Sequence, residues 1–329
     1  MPIKITILGL GRVGASVGLA LAKIKDQATR VGNDHEPTVA RQAEKIGAVD
    51  RTQINLPSAV KDADMVILAL PVDEIRDTME VIAPDLKPGV LLVDMSPLNT
   101  AVMLWAKELL PGDDRYFAAL TPSLNPAYFN EISQGIENAH ADLFQNSLML
   151  ITTPPGIDES AVILATNLTQ ILGATPLFID AVEADGLNAS SNALPRLVSA
   201  ALVNATVDQP GWREARKVAG HAYAMATELT QHPEETKALG QAALLNADNA
   251  VRMLDQMIDE LQRMRDAIAA QDANALQKRL EHARAERDLW IKQRRAADWE
   301  VKTDVRAPSS GAMFGRLFGI RPRKDKDEK

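Results

Sequence analysis

The stretch that decides the fold is Gly9-Leu10-Gly11-Arg12-Val13-Gly14, which follows an apolar run, Ile3 to Leu8, and precedes a helical run, Ala15 to Ile24. In a strand–loop–helix unit of this kind, Gly9 permits the tight turn and Gly11 lets the backbone approach a pyrophosphate. Gly14 lets the helix pack closely on the strand, so that the helix N-terminus faces the phosphates. The glycine loop therefore predicts a dinucleotide-binding unit, with Arg12 and Val13 among its binding residues.

An acidic residue follows the glycine loop at the spacing that dinucleotide-binding units use. Asp34 ends a second β-rich run, 20 residues after Gly14, where its carboxylate can accept hydrogen bonds from the adenosine ribose hydroxyls. Its charge repels a ribose 2′-phosphate unless Arg12, Arg30 or His35 offsets it. The sequence favours NAD and leaves NADP open. The alternative is that the glycines serve only a turn and that Asp34 only caps the next helix.

The first half of the chain alternates short apolar runs with helical patterns. Continuous apolar strands separated by helices are typical of a parallel sheet that is covered on both faces. Residues 1–180 are therefore predicted to form a doubly wound α/β dinucleotide-binding domain of the Rossmann type. The predicted strands are Ile3 to Leu8, Thr29 to Asn33, Met65 to Leu70, Val90 to Asp94, Tyr116 to Leu120, Leu148 to Thr152 and Thr175 to Ile179.

Two turns at the carboxyl ends of predicted strands should line the nicotinamide half of the crevice. They are Leu70-Pro71-Val72 and Asp94-Met95-Ser96. Ser96 is the polar group there. It can orient a reacting hydroxyl, or it can cap the helix after Pro97, and both interpretations stay open.

The strand signals stop after Asp180, and residues with a low cost of helix formation dominate. Residues 181–300 are predicted to form an all-helical substrate and dimerisation domain, whose final helix is N-capped by Asp272. An apolar seam at spacings of three and four needs a partner, so we expect a homodimer. The seam consists of Leu244, Ala247, Val251, Leu254, Ile258, Leu261 and Ile268.

Residues 301–329 are predicted to be a disordered charged tail, because Pro, Ser, Gly and charged residues dominate there. The tail holds a basic cluster, Arg316 to Lys329, and a short apolar patch, Met313 to Phe318. A weakly ordered end is favoured over a segment that touches a membrane.

The composition excludes several classes of protein. None of the 329 residues is cysteine, and the five histidines are scattered, so we expect no disulfide and no metal site. The formal charge of -8 argues against a nucleic-acid partner. No apolar run reaches the roughly 18 residues that a membrane helix needs, and the N-terminus lacks a secretory signal. We therefore expect a cytoplasmic protein with no membrane span.

Several stretches together resemble the prephenate/arogenate dehydrogenase family. They are the glycine loop, Asp94-Met95-Ser96, Ala141-Asp142-Leu143-Phe144, Gly211-Trp212-Arg213-Glu214 and Lys217-Val218-Ala219, with further similarity from Leu244 to Trp290. The resemblance implies a dinucleotide domain joined to a helical dimerisation domain. It also implies oxidation of prephenate or arogenate with NAD or NADP in tyrosine biosynthesis, with loss of carbon dioxide as the ring becomes aromatic.

The chain departs from this family at residues that handle protons. The family usually carries a Ser-His-Leu-Pro-His segment, whose first histidine accepts the proton of the ring hydroxyl. Here the segment reads Asn192-Ala193-Leu194-Pro195-Arg196, and the family's His-Pro before the substrate loop reads Thr121-Pro122. Loss of a base costs roughly 100- to 10,000-fold in proton transfer, which slows a reaction driven by decarboxylation without abolishing it.

Candidate catalytic residues are therefore Ser96, Asn192 and His221. His221 follows Lys217 by four residues, so the two share a face if their helix is continuous. As a titrating group, His221 can replace the missing base, or it is an ordinary solvated or core histidine. Ser96 and Asn192 can orient a hydroxyl or a water molecule but cannot act as bases at neutral pH.

Two arginines and a lysine are the candidate substrate-binding residues. Arg213 matches the family arginine that holds a substrate carboxylate, which a guanidinium can bind through two parallel hydrogen bonds. Arg196 places a second cation where the family has histidine, and Lys217 lies close in sequence to Arg213. The set suits a small acidic substrate, and the alternative is ordinary surface cations. Two other functions stay open: oxidation of another small carboxylate, and cofactor binding without turnover.

Overall fold

The computed structural model describes residues 2–110, 112, 114–230 and 233–297. Within these residues, a single sheet of eight strands forms the first half of the chain and helices form the second half. The strands are β1 (Ile3–Leu8), β2 (Ala28–Asn33), β3 (Arg51–Thr52), β4 (Met65–Leu68), β5 (Leu91–Asp94), β6 (Tyr116–Pro122), β7 (Leu148–Thr152) and β8 (Thr175–Phe178).

The strand order is β3-β2-β1-β4-β5-β6-β7-β8, the doubly wound arrangement that the sequence predicts. Neighbouring strands are parallel from β3 to β6, but β7 pairs antiparallel with β6 and parallel with β8. The doubly wound sheet is thus mostly parallel, and its single antiparallel pair among the described strands is β6 with β7. Parallel neighbours need a crossover connection that carries the chain back to the opposite end of the strands. The chain from 123 to 147 contains only short 3₁₀ turns, and it enters β7 at the same end of the sheet at which β6 finishes.

Helices cover both faces of the sheet, as its continuously apolar strands require. One buried cluster includes Ile7 and Phe144, and the other includes Leu68 and Trp105. The two-residue strand β3 lies at the sheet edge and was not predicted, because it contains no apolar run. The helices of this half are α1 (Arg12–Leu21), α2 (Pro37–Lys45), α3 (Leu56–Val60), α4 (Val72–Ile82), α5 (Thr100–Leu109) and α6 (Glu159–Leu172).

The second half contains only helices among its described residues. A short π-helical segment, Ala189–Ala193, joins the first two of them. The helices are α7 (Ala181–Asn188), α8 (Leu194–Val207), α9 (Trp212–Val218), α10 (His221–Thr227), α11 (Pro233–Leu245), α12 (Ala247–Ala269) and α13 (Ala273–Ala296). The change from strands to helices lies between β8 and α7, and the division into domains 1–180 and 181–300 stays a prediction.

The apolar seam belongs to two helices instead of one. Asn246 interrupts the helix with φ -118° and ψ 40°, and its side-chain amide donates a hydrogen bond to the Asp185 carbonyl at 2.9 Å. Leu244 therefore lies on α11, and the rest of the seam lies on α12. The predicted cap of the last helix is confirmed, since the Asp272 carboxylate accepts a hydrogen bond from the Ala275 N–H at 2.9 Å.

In the part of the chain that the structure describes, no helix combines the length and the apolarity needed to cross a bilayer. The predicted tail, residues 301–329, lies outside the described residues.

Candidate functional site

The glycine loop has the geometry that its sequence predicts. Gly9 has φ +84°, and a Cβ atom there would lie 2.4 Å from the Ala69 carbonyl oxygen. A Cβ atom on Gly14 would lie 1.9 Å from the Gly9 carbonyl oxygen. Both positions therefore require glycine, because any side chain would force β1, α1 and the end of β4 apart.

Asp34 lies against this loop. One of its carboxylate oxygens accepts a hydrogen bond from the Leu10 N–H at 2.7 Å, and the other accepts one from the Glu36 N–H at 2.9 Å. A carboxylate has about four lone-pair sites, so acceptors remain for a ribose diol. Near the loop, Leu70 approaches Gly9 and Pro71 precedes α4, while Val13 packs against the core. The loop and Asp34 fit the adenosine and phosphate groups of a dinucleotide, and the place of Leu70 and Pro71 in the nicotinamide half stays a prediction.

Two of the three groups that could offset the charge of Asp34 are engaged elsewhere. The Arg30 guanidinium is buried and pairs with Asp50 at 2.6 Å, and Arg12 contacts the segment after β6. Neither arginine is therefore placed to offset Asp34, and of the three groups only His35 lies close, 3.7 Å from the carboxylate. Glu74 adds negative charge nearby. Burial is the main cause that raises the pKa of Glu74, and the charges of Asp73 and Asp34 raise that pKa further.

The phosphate end of the glycine loop is covered by residues 131–135. The Arg12 N–H donates a hydrogen bond to the Gln134 carbonyl at 2.7 Å, and a Cβ atom on Gly11 would lie 3.0 Å from the same oxygen. A pyrophosphate that uses this N–H must displace the Gln134 carbonyl.

A cavity of about 160 Å³, called here the interdomain cavity, lies between the segment after β6 and the helical half. Its charged and aromatic lining residues include Arg12, Tyr128 and Glu131 on one side and Arg196 on the other. Arg12 is only 2% exposed. It donates to the Glu131 carbonyl at 2.7 Å and lies 3.4 Å from the Glu131 carboxylate. The structure thus brings Arg196, a predicted substrate residue, to the same space as Arg12.

A polar cluster that the sequence did not predict stands behind this cavity. The Nε2 atom of His140 lies 2.8 Å from the Glu131 carboxylate, and the His140 ring stacks on Tyr128 with centroids 3.9 Å apart. The Tyr128 hydroxyl donates a hydrogen bond to the Asp142 carboxylate at 2.6 Å, and this bond raises the Tyr128 pKa to about 12. The residues lie in an irregular segment, so no helical or strand period could have shown that they meet.

Asp94 and Ser96 form a buried pair at the end of β5. Ser96 donates its hydroxyl to the Asp94 carboxylate at 2.6 Å, and complete burial raises the Asp94 pKa to about 7. The alternative that Ser96 caps the following helix is wrong. Asp185 caps α5, because its carboxylate accepts hydrogen bonds from the Asn99 and Thr100 N–H groups at 2.7 and 3.0 Å. The catalytic role of Ser96 stays a prediction.

Several predicted residues lie away from the interdomain cavity. Arg213 and Lys217 are exposed on α9, and Lys217 pairs with Glu214 at 2.5 Å. The helix that would join Lys217 to His221 is not continuous, because Ala219, with ψ 119°, ends α9, and a new helix starts at His221. Lys217 and His221 therefore do not share a face of one helix.

Asn192 and Ala193 lie in the π-helical segment before α8 and are half-buried. The segment carries on directly into the first turn of α8, which holds Arg196. The catalytic roles of Asn192 and His221 stay predictions, as do the substrate roles of Arg213 and Lys217.

The last helix holds one wall of the cavity in place, which the sequence also did not predict. Arg294 donates a hydrogen bond to the Leu124 carbonyl at 2.5 Å, and its guanidinium lies 5.4 Å from the centre of the Phe129 ring. Trp290 stacks on the same ring with centroids 5.7 Å apart. Because α13 is distant in sequence from this wall, only the tertiary structure shows the contact.

Two family models match the chain. One is described as the nucleotide-binding domain of prephenate dehydrogenase and matches residues 17–176, starting just after the glycine loop. The other is described as the dimerization domain of prephenate dehydrogenase and matches residues 180–282.

Similar curated proteins span most of the chain. A prephenate dehydrogenase of Bacillus subtilis (strain 168) is 25% identical over 332 residues, which cover 96% of this chain and 84% of that protein. A cyclohexadienyl dehydrogenase of Zymomonas mobilis is 25% identical over 303 residues, which cover 91% of this chain and 96% of that protein.

Solved structures share the fold. An arogenate dehydrogenase of Synechocystis superposes with a TM-score of 0.67 at 22% identity, covering 88% of this chain and 100% of that chain. A prephenate dehydrogenase of A. aeolicus, in complex with hydroxyphenyl propionate and NAD+, superposes with a TM-score of 0.74 at 18% identity, covering 87% of this chain and 98% of that chain.

Proposed function

The chain belongs to the prephenate/arogenate dehydrogenase family, and from this we propose that it oxidises a cyclohexadienyl acid with NAD and releases carbon dioxide as the ring becomes aromatic. The observation that carries the proposal is the contact between Asp34 and the glycine loop, where Leu10 N–H donates to the carboxylate at 2.7 Å. This contact fixes a ribose acceptor beside the position where the backbone can approach a pyrophosphate.

NAD supplies the hydride acceptor of this reaction. The glycine loop and Asp34 would hold its adenosine and phosphate groups. Arg196, which lines the interdomain cavity, would bind a carboxylate of the substrate through its planar guanidinium. The buried Ser96 hydroxyl faces Asp94, so its proposed part is to orient polar groups at the end of β5.

We propose NAD in preference to NADP, because the ribose end of the site is acidic. Asp34 and Glu74 lie near each other, and the Arg30 guanidinium is held by Asp50 at 2.6 Å. A 2′-phosphate would be repelled by the two carboxylates.

The test is a spectrophotometric assay of the purified protein with prephenate or arogenate and with NAD or NADP. The proposal expects reduced cofactor to form from NAD with at least one of the two acids, and much less from NADP. Absence of turnover with both acids and both cofactors would contradict it.

A second candidate function is cofactor binding without turnover, or oxidation of another small carboxylate. The observation that favours it is the replacement of the family histidines by Ala193 and Thr121. Binding of NAD without turnover of either cyclohexadienyl acid, measured by calorimetry beside the assay, would support this candidate over the first.

We propose that two copies of the chain pair through the apolar seam. In a single copy, Val251, Ile258 and Leu261 are 55%, 49% and 56% exposed, although apolar rows of this length are normally covered. Carboxylates buried in such an interface cost several kcal/mol. The double variant Val251→Glu with Ile258→Glu should therefore be a monomer at micromolar concentration by light scattering.

The control for the dimer is Gln256→Glu, which places one added carboxylate at an exposed position of α12 outside the seam. It should remain a dimer. A wild-type protein that is already a monomer, or a double variant that still pairs, would contradict this interface.

Substrate binding should depend on Arg196. Arg196→Ala removes a cation from the interdomain cavity, and loss of one partner of a charged hydrogen-bonded pair costs roughly 2 kcal/mol or more. The KM for the acid should rise by about 30-fold, with little change in the Kd for NAD. Arg213→Ala is the comparison, since Arg213 is exposed on α9. An equal rise in both variants would show that Arg213 reaches the cavity in the working assembly.

A further inference from the structure

We propose that Glu131 accepts the proton of the ring hydroxyl, and that His140 is a positioning residue that holds the Glu131 carboxylate from behind. The inference rests on the proposed function and deepens it, because it names the group that replaces the histidines absent at Ala193 and Thr121. Neither residue lies in a motif that the family resemblance singled out.

Glu131 is placed where a proton acceptor is needed. It lines the interdomain cavity together with Arg196, Arg12 and Tyr128, and its side chain is 33% exposed. A cavity that binds an acidic substrate through Arg196 would therefore place the rest of that substrate within reach of the Glu131 carboxylate.

The other described polar side chains that line the cavity are poor acceptors. Arg12 and Arg196 are cations with no acceptor atom. The Tyr128 hydroxyl donates a hydrogen bond to Asp142, and this bond raises the Tyr128 pKa to about 12. The side-chain amide of Gln134 is not a base. This leaves Glu131 as the carboxylate that can take a proton from a bound hydroxyl.

The Glu131 carboxylate is oriented from two directions. Arg12 contacts it at 3.4 Å, and His140 Nε2 contacts it at 2.8 Å. Arg12 also binds the Glu131 backbone carbonyl at 2.7 Å, so both ends of the residue are tied to α1. Such fixed contacts keep a reacting group in one geometry, which is a large part of what an active site provides.

His140 is itself fixed. Its ring stacks on Tyr128 at an interplanar angle of 5°, and its backbone N–H donates to the Ser16 hydroxyl at 2.9 Å. Ser16 in turn donates to the Arg12 carbonyl at 2.6 Å. These contacts hold the imidazole, which is 29% exposed, in one orientation toward Glu131.

The proposed step is balanced without a net release of protons. The O–H bond of the ring alcohol breaks and its proton moves to Glu131, while the C–H bond at the same carbon breaks and its electron pair leaves as hydride, which reduces NAD to NADH. The C–C bond to the ring carboxylate then breaks. Carbon dioxide leaves, the electron pair moves through the ring to the oxygen, and that oxygen takes the proton back from Glu131.

The first test is Glu131→Gln, a nearly isosteric change whose amide can still contact Arg12 and His140. Loss of a general base costs roughly 100-fold or more, so kcat should fall by that amount while the KM for the acid and the Kd for NAD stay within about threefold. Glu137→Gln, at a second carboxylate of the same segment, is the matched control and should match wild type. An unchanged kcat in Glu131→Gln overturns the inference.

The second test does not need turnover. With NAD present, wild type should bind 4-hydroxyphenylpyruvate about tenfold more tightly than phenylpyruvate, because a hydrogen bond to a carboxylate contributes roughly 1.5 kcal/mol or more. Glu131→Gln should lose most of this preference. A wild-type protein with no preference overturns the inference even if it turns over, whereas a preference without turnover contradicts only the proposed function.

The role of His140 is tested by two variants with opposite properties. His140→Phe keeps an aromatic ring that can stack on Tyr128 but removes the nitrogen that faces Glu131, so kcat should fall by about tenfold with KM unchanged. His140→Gln keeps a polar nitrogen and should recover most of that loss. If His140→Phe is the more active of the two, the role of His140 is packing and the positioning assignment is wrong.

Discussion

Replacing Gly14 by alanine should weaken NAD binding by about two orders of magnitude. The added Cβ atom would lie 1.9 Å from the Gly9 carbonyl oxygen and 3.1 Å from the Ala69 Cβ atom. Relief requires α1 to move away from β1, which displaces the helix N-terminus that faces the phosphates. Overpacking of this severity costs about 3 kcal/mol. The free protein relieves this strain by moving α1 and would regain it on binding NAD, so the Kd measured by calorimetry should rise by up to roughly 150-fold.

The control for this change is Gly211→Ala. A Cβ atom there has nothing within 4 Å and the backbone φ is -82°, so NAD binding should not change. Circular dichroism must show that the Gly14→Ala protein keeps its helices and strands. A folded Gly14→Ala variant with the wild-type Kd would show that NAD does not bind at the glycine loop.

Stability should fall as pH rises from about 4 to about 7, because Asp94 is fully buried. Burial raises the pKa of its carboxyl group to about 7, whereas in the unfolded chain it is near the usual 3.9. Between these values the folded state binds the proton that the unfolded state has lost, so each unit of pH removes about 1.4 kcal/mol from the free energy of unfolding. The whole effect is about 4 kcal/mol, and it is complete above the folded-state pKa.

Asp94→Asn removes this titration and keeps an oxygen that can accept the Ser96 hydroxyl proton. Urea denaturation should show the variant to be more stable than wild type at pH 8, with a much smaller difference at pH 4.5. Asp26→Asn, at an exposed position, makes the same change of charge and should show no such pH dependence. A difference between Asp94→Asn and wild type that is independent of pH would show that Asp94 does not carry the shift.

The irregular segment between β6 and β7 shows where prediction from the sequence ended. Local rules identified the strands on either side of it, since each is a short apolar run. They did not predict the direction of β7. That direction depends on a connection that leaves β6 and enters β7 at the same end of the strands. The same connection brings Tyr128, Glu131 and His140 close to the glycine loop. Because this connection has no regular period, the sequence predicted neither the direction of β7 nor the polar cluster.

The helical half shows a second limit. Spacings of three and four correctly marked apolar positions, but they could not show that Asn246 ends α11 to reach the Asp185 carbonyl. Nor could they show that Ala219 and Gly220 separate Lys217 from His221. In both places a backbone turn interrupts the helix, and residue spacing contains no information about such a turn.

The sequence by itself determined the dinucleotide unit, because its chemistry is local. Gly9 is required by its own φ of +84°, Gly14 is required by its contact with the Gly9 carbonyl of the same unit, and Asp34 follows at the end of the adjacent strand. Only the tertiary structure decided what surrounds the interdomain cavity, where Arg12, Glu131 and Arg196 come from three separate parts of the chain. Their meeting depends on how the irregular segment and α8 pack on α1, and such long-range packing is fixed by the whole fold, whereas a glycine turn is fixed by its own backbone angles.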